Sequence, residues 1–198
     1  MLTSRTIILF CLILLFAAIT NLMIDQADDP DTNPAFARND PDLYMLNADI
    51  TQFSETGVPQ HNIRAERLTH FPLTDITTLK TPNMTLYSDQ ENSLPWEIAA
   101  ENGRLLPEVQ VREQIVELWD HVLAIQERKT GDFVNIRTES LTVYPDREYA
   151  ETNQNVTIND KSGRTLAGGM QAFFGQERFI FYAYKEQRVH TVLSPTFE

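Results

Sequence analysis

The sequence predicts an all-β protein of antiparallel strands, preceded by a single N-terminal transmembrane helix, and three observations carry that expectation. Eighteen uncharged residues run from Ile7 to Ile24. From Leu43 onward no stretch shows the 3.6-residue period of a helix, while Val, Ile, Thr, Tyr and Phe alternate with polar residues in short runs broken by Pro, Gly, Asn and Asp. Within that region a ten-residue pattern recurs, which signals stacked supersecondary units.

The amino-terminal stretch reads IILFCLILLFAAITNLMI. A spanning helix needs about 20 mostly apolar residues, and at about 1.5 Å of rise each this run just covers a hydrocarbon core of about 30 Å. A cleaved signal peptide is the competitor, but its apolar region runs to roughly 7–15 residues with a small-x-small site close behind. The small-x-small candidate here, Ala35-Phe36-Ala37, lies beyond Asp25, Asp28, Asp29 and Asp31, which favours an uncleaved anchor. Arg5 precedes the helix and no Lys or Arg follows it before Arg38, so the amino terminus is expected in the cytoplasm and the bulk of the chain outside it. Cys11, the one cysteine, sits in the apolar run as a small hydrophobe. The expected layout is a cytoplasmic terminus at 1–6, the helix at 7–24, an acidic tether at 25–41 containing Pro30, Pro34 and Pro41, and a β domain at 42–198. The tether has almost nothing to bury against the entropy of ordering itself.

Three segments of the β domain align without a gap: IRAERLTHFP from Ile63, IAAENGRLLP from Ile98 and IRTESLTVYP from Ile136. Each has Ile first, a small residue third, Glu fourth, an apolar or aromatic residue ninth and Pro tenth. A fourth, LAGGMQAFFG from Leu166, keeps the apolar, small and aromatic positions but has glycines for Glu and Pro. The starts at 63, 98, 136 and 166 are spaced by 35, 38 and 30 residues. Return strands are expected at Leu79 to Asp89, Ile115 to Glu127 and Asn155 to Asp160, so that each unit holds one repeat strand and one return strand. Because side chains alternate across a strand, Ile63/Ala65, Trp96/Ile98/Ala100, Val134/Ile136/Thr138 and Leu166/Gly168 are expected on one apolar face. Glu66, Glu101 and Glu139 then fall on the opposite face with Arg64 and Arg137. Pro72, Pro107 and Pro145 should end their strands, since proline cannot donate to the ladder.

Sixteen basic against 28 acidic residues, net charge −12, speak against a nucleic-acid partner, because phosphate contacts need a clustered basic footprint. A lone cysteine rules out an internal disulfide and thiolate zinc sites. Glu66, Glu101 and Glu139 are a poor acid/base set on the solvent face of separate strands. His61, His70, His121 and His190 have no metal-ligand spacing, so no metal or other cofactor is expected. No nucleophile elbow is present, Ser194 stands beside Pro195 near the end of the chain, and Gly163 is followed by Gly168-Gly169 without the Lys of a phosphate loop. The chain is read as neither an enzyme nor a motor. Asn83-Met84-Thr85 and Asn155-Val156-Thr157 match a glycosylation acceptor but read as strand residues.

Three Glu-bearing repeats and a degenerate fourth, TPNMTLYSD at Thr81 to Asp89, and the single anchor together resemble the LptC family, from Arg5 to about Val192. One departure is visible: where the family often has glycine before the valine of the second return strand, this chain has Asp120-His121-Val122, and in the next unit Gln154-Asn155-Val156. The resemblance implies a twisted, open, V-shaped β-jellyroll in the periplasm, anchored in the bacterial inner membrane. It further implies a role in passing lipopolysaccharide from an inner-membrane ABC transporter (LptF/LptG with the LptB ATPase) to the bridge protein LptA, with the helix docked on the transporter and tempering its ATP hydrolysis. The apolar face of Ile63, Ala65, Trp96, Ile98, Ala100, Val134, Ile136, Thr138, Leu166 and Gly168 becomes the acyl-chain trough.

Physical chemistry is compatible with that role: burying a CH2 group is worth about 0.8 kcal/mol, so a twelve-carbon chain left in water costs on the order of 10 kcal/mol. An aqueous gap therefore calls for a continuous apolar path. The competing interpretation of the same face is an ordinary sandwich core, and the competing function is an anchored β scaffold that binds proteins and no lipid. Exposed sheet edges recruit further strands, and the natural edges are Leu43 to Phe53 at one end and Arg178 to Tyr184 with Arg188 to Leu193 at the other. The resemblance assigns Leu46, Ala48 and Ile50 to the transporter, and Phe179, Phe181, Tyr182, Tyr184 and Val189 to LptA. Core packing of the last hairpin competes for the aromatic residues.

Overall fold

Fourteen antiparallel strands fill the described part of the chain, and their order follows from where each can keep one face dry. The computed structural model describes residues 39–54, 56–88, 93–127, 132–184 and 188–194. The expected helix at 7–24 and nearly all of the tether lie outside them, and among the described residues no helix is long and apolar enough to cross a membrane. Pro41–Glu198 form one compact unit. Its strands are β1 (Leu43–Phe53), β2 (Pro59–Phe71), β3 (Ile76–Lys80), β4 (Asn83–Leu86), β5 (Trp96–Ala99), β6 (Asn102–Leu106), β7 (Ile115–Glu127), β8 (Phe133–Tyr144), β9 (Tyr149–Thr152), β10 (Val156–Asp160), β11 (Gly163–Ala167), β12 (Gly169–Phe173), β13 (Arg178–Tyr182) and β14 (His190–Leu193).

The pairings resolve into two layers joined along a crease. One layer runs β1-β2-β4-β5-β7-β8-β10-β11-β14, and the other β1-β2-β3-β6-β7-β8-β9-β12-β13. The long strands β1, β2, β7 and β8 belong to both, and the short ones pair off end to end as β3/β4, β5/β6, β9/β10, β11/β12 and β13/β14. The chain is thus a meander of nine passes, each crossing from layer to layer and pairing only with its sequence neighbours. One repeat is two passes, which is why the period falls near 35 residues. Pro72 and Pro107 follow the last residues of β2 and β6, and Pro145 ends β8 by opening a 3₁₀ turn at Pro145–Arg147.

At the crease the backbone has to leave the pleat. Asn47, Thr81, Asp120 and His121 have φ between 50 and 64°, the left-handed region that only a few per cent of non-glycine residues enter, with Asn, Asp and His enriched. In β7 the ladder skips from Trp119 opposite Ser140 to Val122 opposite Thr138, so Asp120 and His121 form a bulge. Of the two positions where glycine was expected from the resemblance, Asp120-His121 makes a left-handed turn without it, and Gln154-Asn155 has no positive φ. Across the crease the inward alternation also slips: inward residues are three apart, Ala65 to Leu68, Ala100 to Gly103 and Thr138 to Leu141, with two outward residues between.

That slip corrects the fourth repeat. Leu166 is out of phase: it pairs Thr157 on the outer face, while Thr165 pairs Ile158 and Ala167, 1% exposed, pairs Val156. Ala167 and Met170 are the three-apart pair, so the copy starts at Thr165, one residue earlier than a gapless alignment gives. The 3₁₀ turn at Phe174–Gln176 ending in left-handed Glu177 then matches the one at Pro145–Arg147 ending in left-handed Glu148. Gly168 occupies the crease position of Glu66, Glu101 and Glu139, and the glycine there removed the landmark that would have fixed the alignment.

Gly168 is held by proximity. A Cβ there would overlap the backbone nitrogen of Tyr184, and its N–H donates to the Tyr182 carbonyl at 3.1 Å. Gly168→Ala is expected to lower stability by about 1–3 kcal/mol, the range for overpacking, as read from thermal or urea melts. Gly57→Ala, in open space at a φ of 80°, should cost about 1 kcal/mol through backbone strain alone.

Candidate functional site

The candidate site is the interior between the layers. Three rows of inward side chains run parallel to the crease on the first layer. Nearest the crease lie Ala48, Ala65, Ala100, Val122, Thr138, Val156 and Ala167; next come Ile50, Ile63, Met84, Ile98, Ala124, Ile136 and Ile158; outermost are His61, Leu86, Trp96, Gln126 and Val134. Side chains grow from row to row because joined layers leave least room at the fold line. The second layer answers with Leu68, Leu79, Leu118, Leu141, Met170, Ala172 and Phe174 in one common core. Trp96 and Phe174 join the layers far from the crease, with ring centroids 4.6 Å apart, and Phe179 meets Trp96 edge-on at 6.0 Å.

Of the residues assigned to a trough from sequence, Ile63, Ala65, Trp96, Ile98, Ala100, Val134, Ile136 and Thr138 are all buried on this inner face. Gly168 is buried at the crease, and Leu166 is half-buried on the outer side. Sequence reasoning passed over Met84, Leu86, Val122, Ala124, Val156 and Ile158, although their own alternation on the return passes carried the signal. It also passed over two buried polar groups. Gln126 donates to the Leu94 carbonyl at 2.8 Å, whereas His61, 3% exposed, has a buried Nδ1 without a partner among the described residues.

Toward the carboxyl-terminal end the layers part in a cleft of about 440 Å³. Val134, Ile158, Phe133, Phe179 and Phe181 give it apolar walls, and Asp132, Asp160, Lys161 and Glu177 stand at its rim. Lys161 and Asp132 approach to 3.3 Å. On the outer surface, Tyr144, Arg147, Tyr149, Glu151 and Phe173 line a second concavity. There Tyr144 and Tyr149 both donate to Glu151, and Arg147 stacks 4.5 Å over Tyr144. Burial, then the Glu151 carboxylate, raise both tyrosine hydroxyls above their usual range.

The repeated glutamates are exposed, and Glu66 and Glu101 bond across the crease. Glu66 accepts from the Thr81 hydroxyl at 3.3 Å, and Glu101 pairs with His121 at 3.0 Å. Glu139 lies in an outer groove with His121 and Arg137.

Among the described residues, β1 pairs only with β2, β13 only with β12 and β14 only with β11. Leu46 is exposed, but Ala48 is buried and Ile50 half-buried, because the kink at Asn47 breaks the alternation that would have grouped all three. Phe179 and Phe181 pack half-buried against the core, Tyr182 donates to the Thr152 carbonyl at 2.8 Å, and Tyr184 and Val189 are exposed.

An antiparallel meander folded into two layers around an apolar interior defines a jellyroll-like class of β protein. The sequence matches the family described as LptC: Lipopolysaccharide-assembly, LptC-related, over residues 10–183, and the chain belongs to that family. Comparison with curated proteins by sequence gives no match. Among solved structures it is similar to LptH of Pseudomonas aeruginosa, the LptA-homologous periplasmic component of the lipopolysaccharide transport device, at 7% identity and a TM-score of 0.56, covering 68% of this chain and 95% of that one. At that identity the likeness concerns the fold.

The His61 environment has a measurable consequence. Burial lowers its pKa from 6.5 to about 4, against the pull of Asp146. Between those values the unfolded chain binds more protons than the folded one, so stability falls as pH drops from about 6.5 toward 4, by on the order of 3 kcal/mol in all. Melts of wild type and His61→Leu at pH 7.5 and pH 5 should show a smaller acid loss in the variant. An unchanged difference would place the acid sensitivity elsewhere.

Proposed function

We propose that this chain is an inner-membrane-anchored carrier in lipopolysaccharide transport, taking the lipid from the ABC transporter LptF/LptG with LptB and passing it to LptA. The observation that carries the reading is the middle inward row. Ile63, Met84, Ile98, Ala124, Ile136 and Ile158 stand in register on six consecutive passes, each 5% exposed or less. Such a row is an apolar path across the strands, parallel to the crease. Acyl chains would follow it by parting the layers into a V along the rim opposite the fold line, leaving the sugar head in water. Membership of a lipopolysaccharide-assembly family supports the cargo.

The same reading places residues 1–6 in the cytoplasm, 7–24 in the membrane, 25–41 as tether and 42–198 in the periplasm, with no enzymatic step and no cofactor. At the edges, strand addition to β1 around Leu46 would receive the transporter's periplasmic domain. Addition at the carboxyl-terminal edge, around Phe179, Phe181, Tyr182, Tyr184 and Val189, would receive LptA.

Photo-crosslinkers at Ile98 and Ile136 are expected to capture lipopolysaccharide in cells, and a crosslinker replacing outward Arg137 should not. Ile98→Asp, a carboxylate in a fully buried position, should lose capture at Ile136, whereas Glu101→Gln leaves it nearly unchanged. Capture only of proteins at both inward positions favours the scaffold function. Truncation from Lys185 onward is expected to weaken LptA pull-down and spare the transporter; loss of the transporter instead would invert the polarity.

A further inference from the structure

The orphaned polar atoms of the interior fall in one place. The two that belong to inward-facing residues, His61 Nδ1 and Trp96 Nε1, are both in the outermost row and have no partner among the described residues. Both residues pair with Leu86, His61 from β2 and Trp96 from β5. Trp96 is 2% exposed. An indole N–H can only donate, and a buried donor left unmade carries the cost of its lost hydration. The packing around it is otherwise complete, with Phe174 at 4.6 Å and Phe179 at 6.0 Å between ring centroids.

Phe179 connects this donor to the cleft. It lines the opening near the carboxyl-terminal end together with Phe181 and Val134, and Val134 stands in the same row as Trp96, one strand beyond Gln126. An acyl chain entering between Phe133 and Phe181 would run along apolar walls and meet Trp96 on displacing the Phe179 ring. The alkyl part of such a ligand asks nothing of an N–H. The carbonyl that joins it to its head group does, since an ester or amide oxygen carries two acceptor lone pairs and enters this dry space having lost its water.

We infer that Trp96 Nε1 is the hydrogen-bond donor for the ester or amide carbonyl of an acyl chain seated through the cleft beside Phe179, so that the interior distinguishes acyl from plain alkyl chains. The inference deepens the carrier reading and rests on it. His61 Nδ1, a donor only in the tautomer that carries its proton there, lies along the same row one strand beyond Leu86; with strands about 4.8 Å apart it is roughly 10 Å from Trp96, so a single carbonyl oxygen cannot meet both.

Two probes differing in one group decide it: 1-dodecanoyl glycerol, an ester, and 1-dodecyl glycerol, its ether. A Trp119→Phe background leaves Trp96 as the sole indole, since the chain has two tryptophans, and Trp119 lines a groove on the outer face away from the cleft. The ester is expected to bind about 3–10-fold more tightly than the ether, the range one net hydrogen bond supplies, and to shift Trp96 emission to the red. Trp96→Phe, read by calorimetry, should bind both probes alike within twofold. Equal affinities in the unmodified chain, or an ester preference that survives Trp96→Phe, overturns the donor assignment and leaves the carrier reading standing. Binding of neither probe, together with no lipid captured at Ile98 or Ile136, overturns both.

Discussion

Everything in this fold follows from the crease, where a hydrogen-bonded strand must turn out of one layer into the next without ending. A left-handed residue does this in one step, at a cost of roughly 1–2 kcal/mol for a side chain with a Cβ. The second return pass spends two such residues in a row, Asp120 and His121, and their cost is offset locally. The Glu101 N–H donates to the Asp120 carbonyl at 3.0 Å, Asn102 Nδ2 donates to the Asp120 carboxylate at 2.7 Å, and His121 pairs with the Glu101 side chain. One strand further, the Thr81 N–H donates to the Glu101 carbonyl at 2.8 Å. The repeated glutamate is thereby explained as a crease residue. In two of the three copies its carboxylate reaches the kinked neighbour, Glu66 to Thr81 and Glu101 to His121.

Two consequences run outward from that line. Side chains beside it must be small, hence Ala65, Ala100 and Ala167, and those far from it must be large enough to bridge the widening gap, hence Trp96 against Phe174. A wedge filled this way is strongest at the fold line, where ladder bonds and side-chain bonds cooperate, and weakest at the rim. There the layers touch through a few aromatic rings, and two polar atoms lie idle.

Much of this was legible in the sequence. Ile-x-small-Glu marks the crease and the tenth-position proline the strand end; the first two return strands were placed within three residues, while β9 at Tyr149–Thr152, the first half of the third return pass, was not foreseen. What could not be read was the phase slip. Alternation is a local rule, and a gapless repeat alignment extends it across the crease, where two successive residues face outward; Leu166 was misplaced for that reason. The carboxyl-terminal cleft was also hidden, because Phe133, Ile158 and Phe179 come together from three separate passes, and no spacing in the chain records that meeting. His61 and Trp96 read as an ordinary polar residue and an ordinary core aromatic until their neighbours are known.

The meander also dictates how such a protein can be joined to others. Because every pass contacts only the one before and the one after, the chain is close to one-dimensional, and stability accumulates from neighbour to neighbour. Such an array has two ends, and at each of them both layers present an edge: β1 runs through both layers, while β13 and β14 divide the other end between them. A partner built on the same crease could continue both layers at once, and the three inward rows would continue with them. Exposed apolar residues gather at those ends, Tyr44, Leu46 and Phe53 on β1 and Ile180, Val192 and Leu193 on the last strands, where an isolated domain would ordinarily place charge or proline to block pairing. The edges and the interior are therefore linked, since a neighbour built on the same crease would extend the apolar path as it extended the sheet.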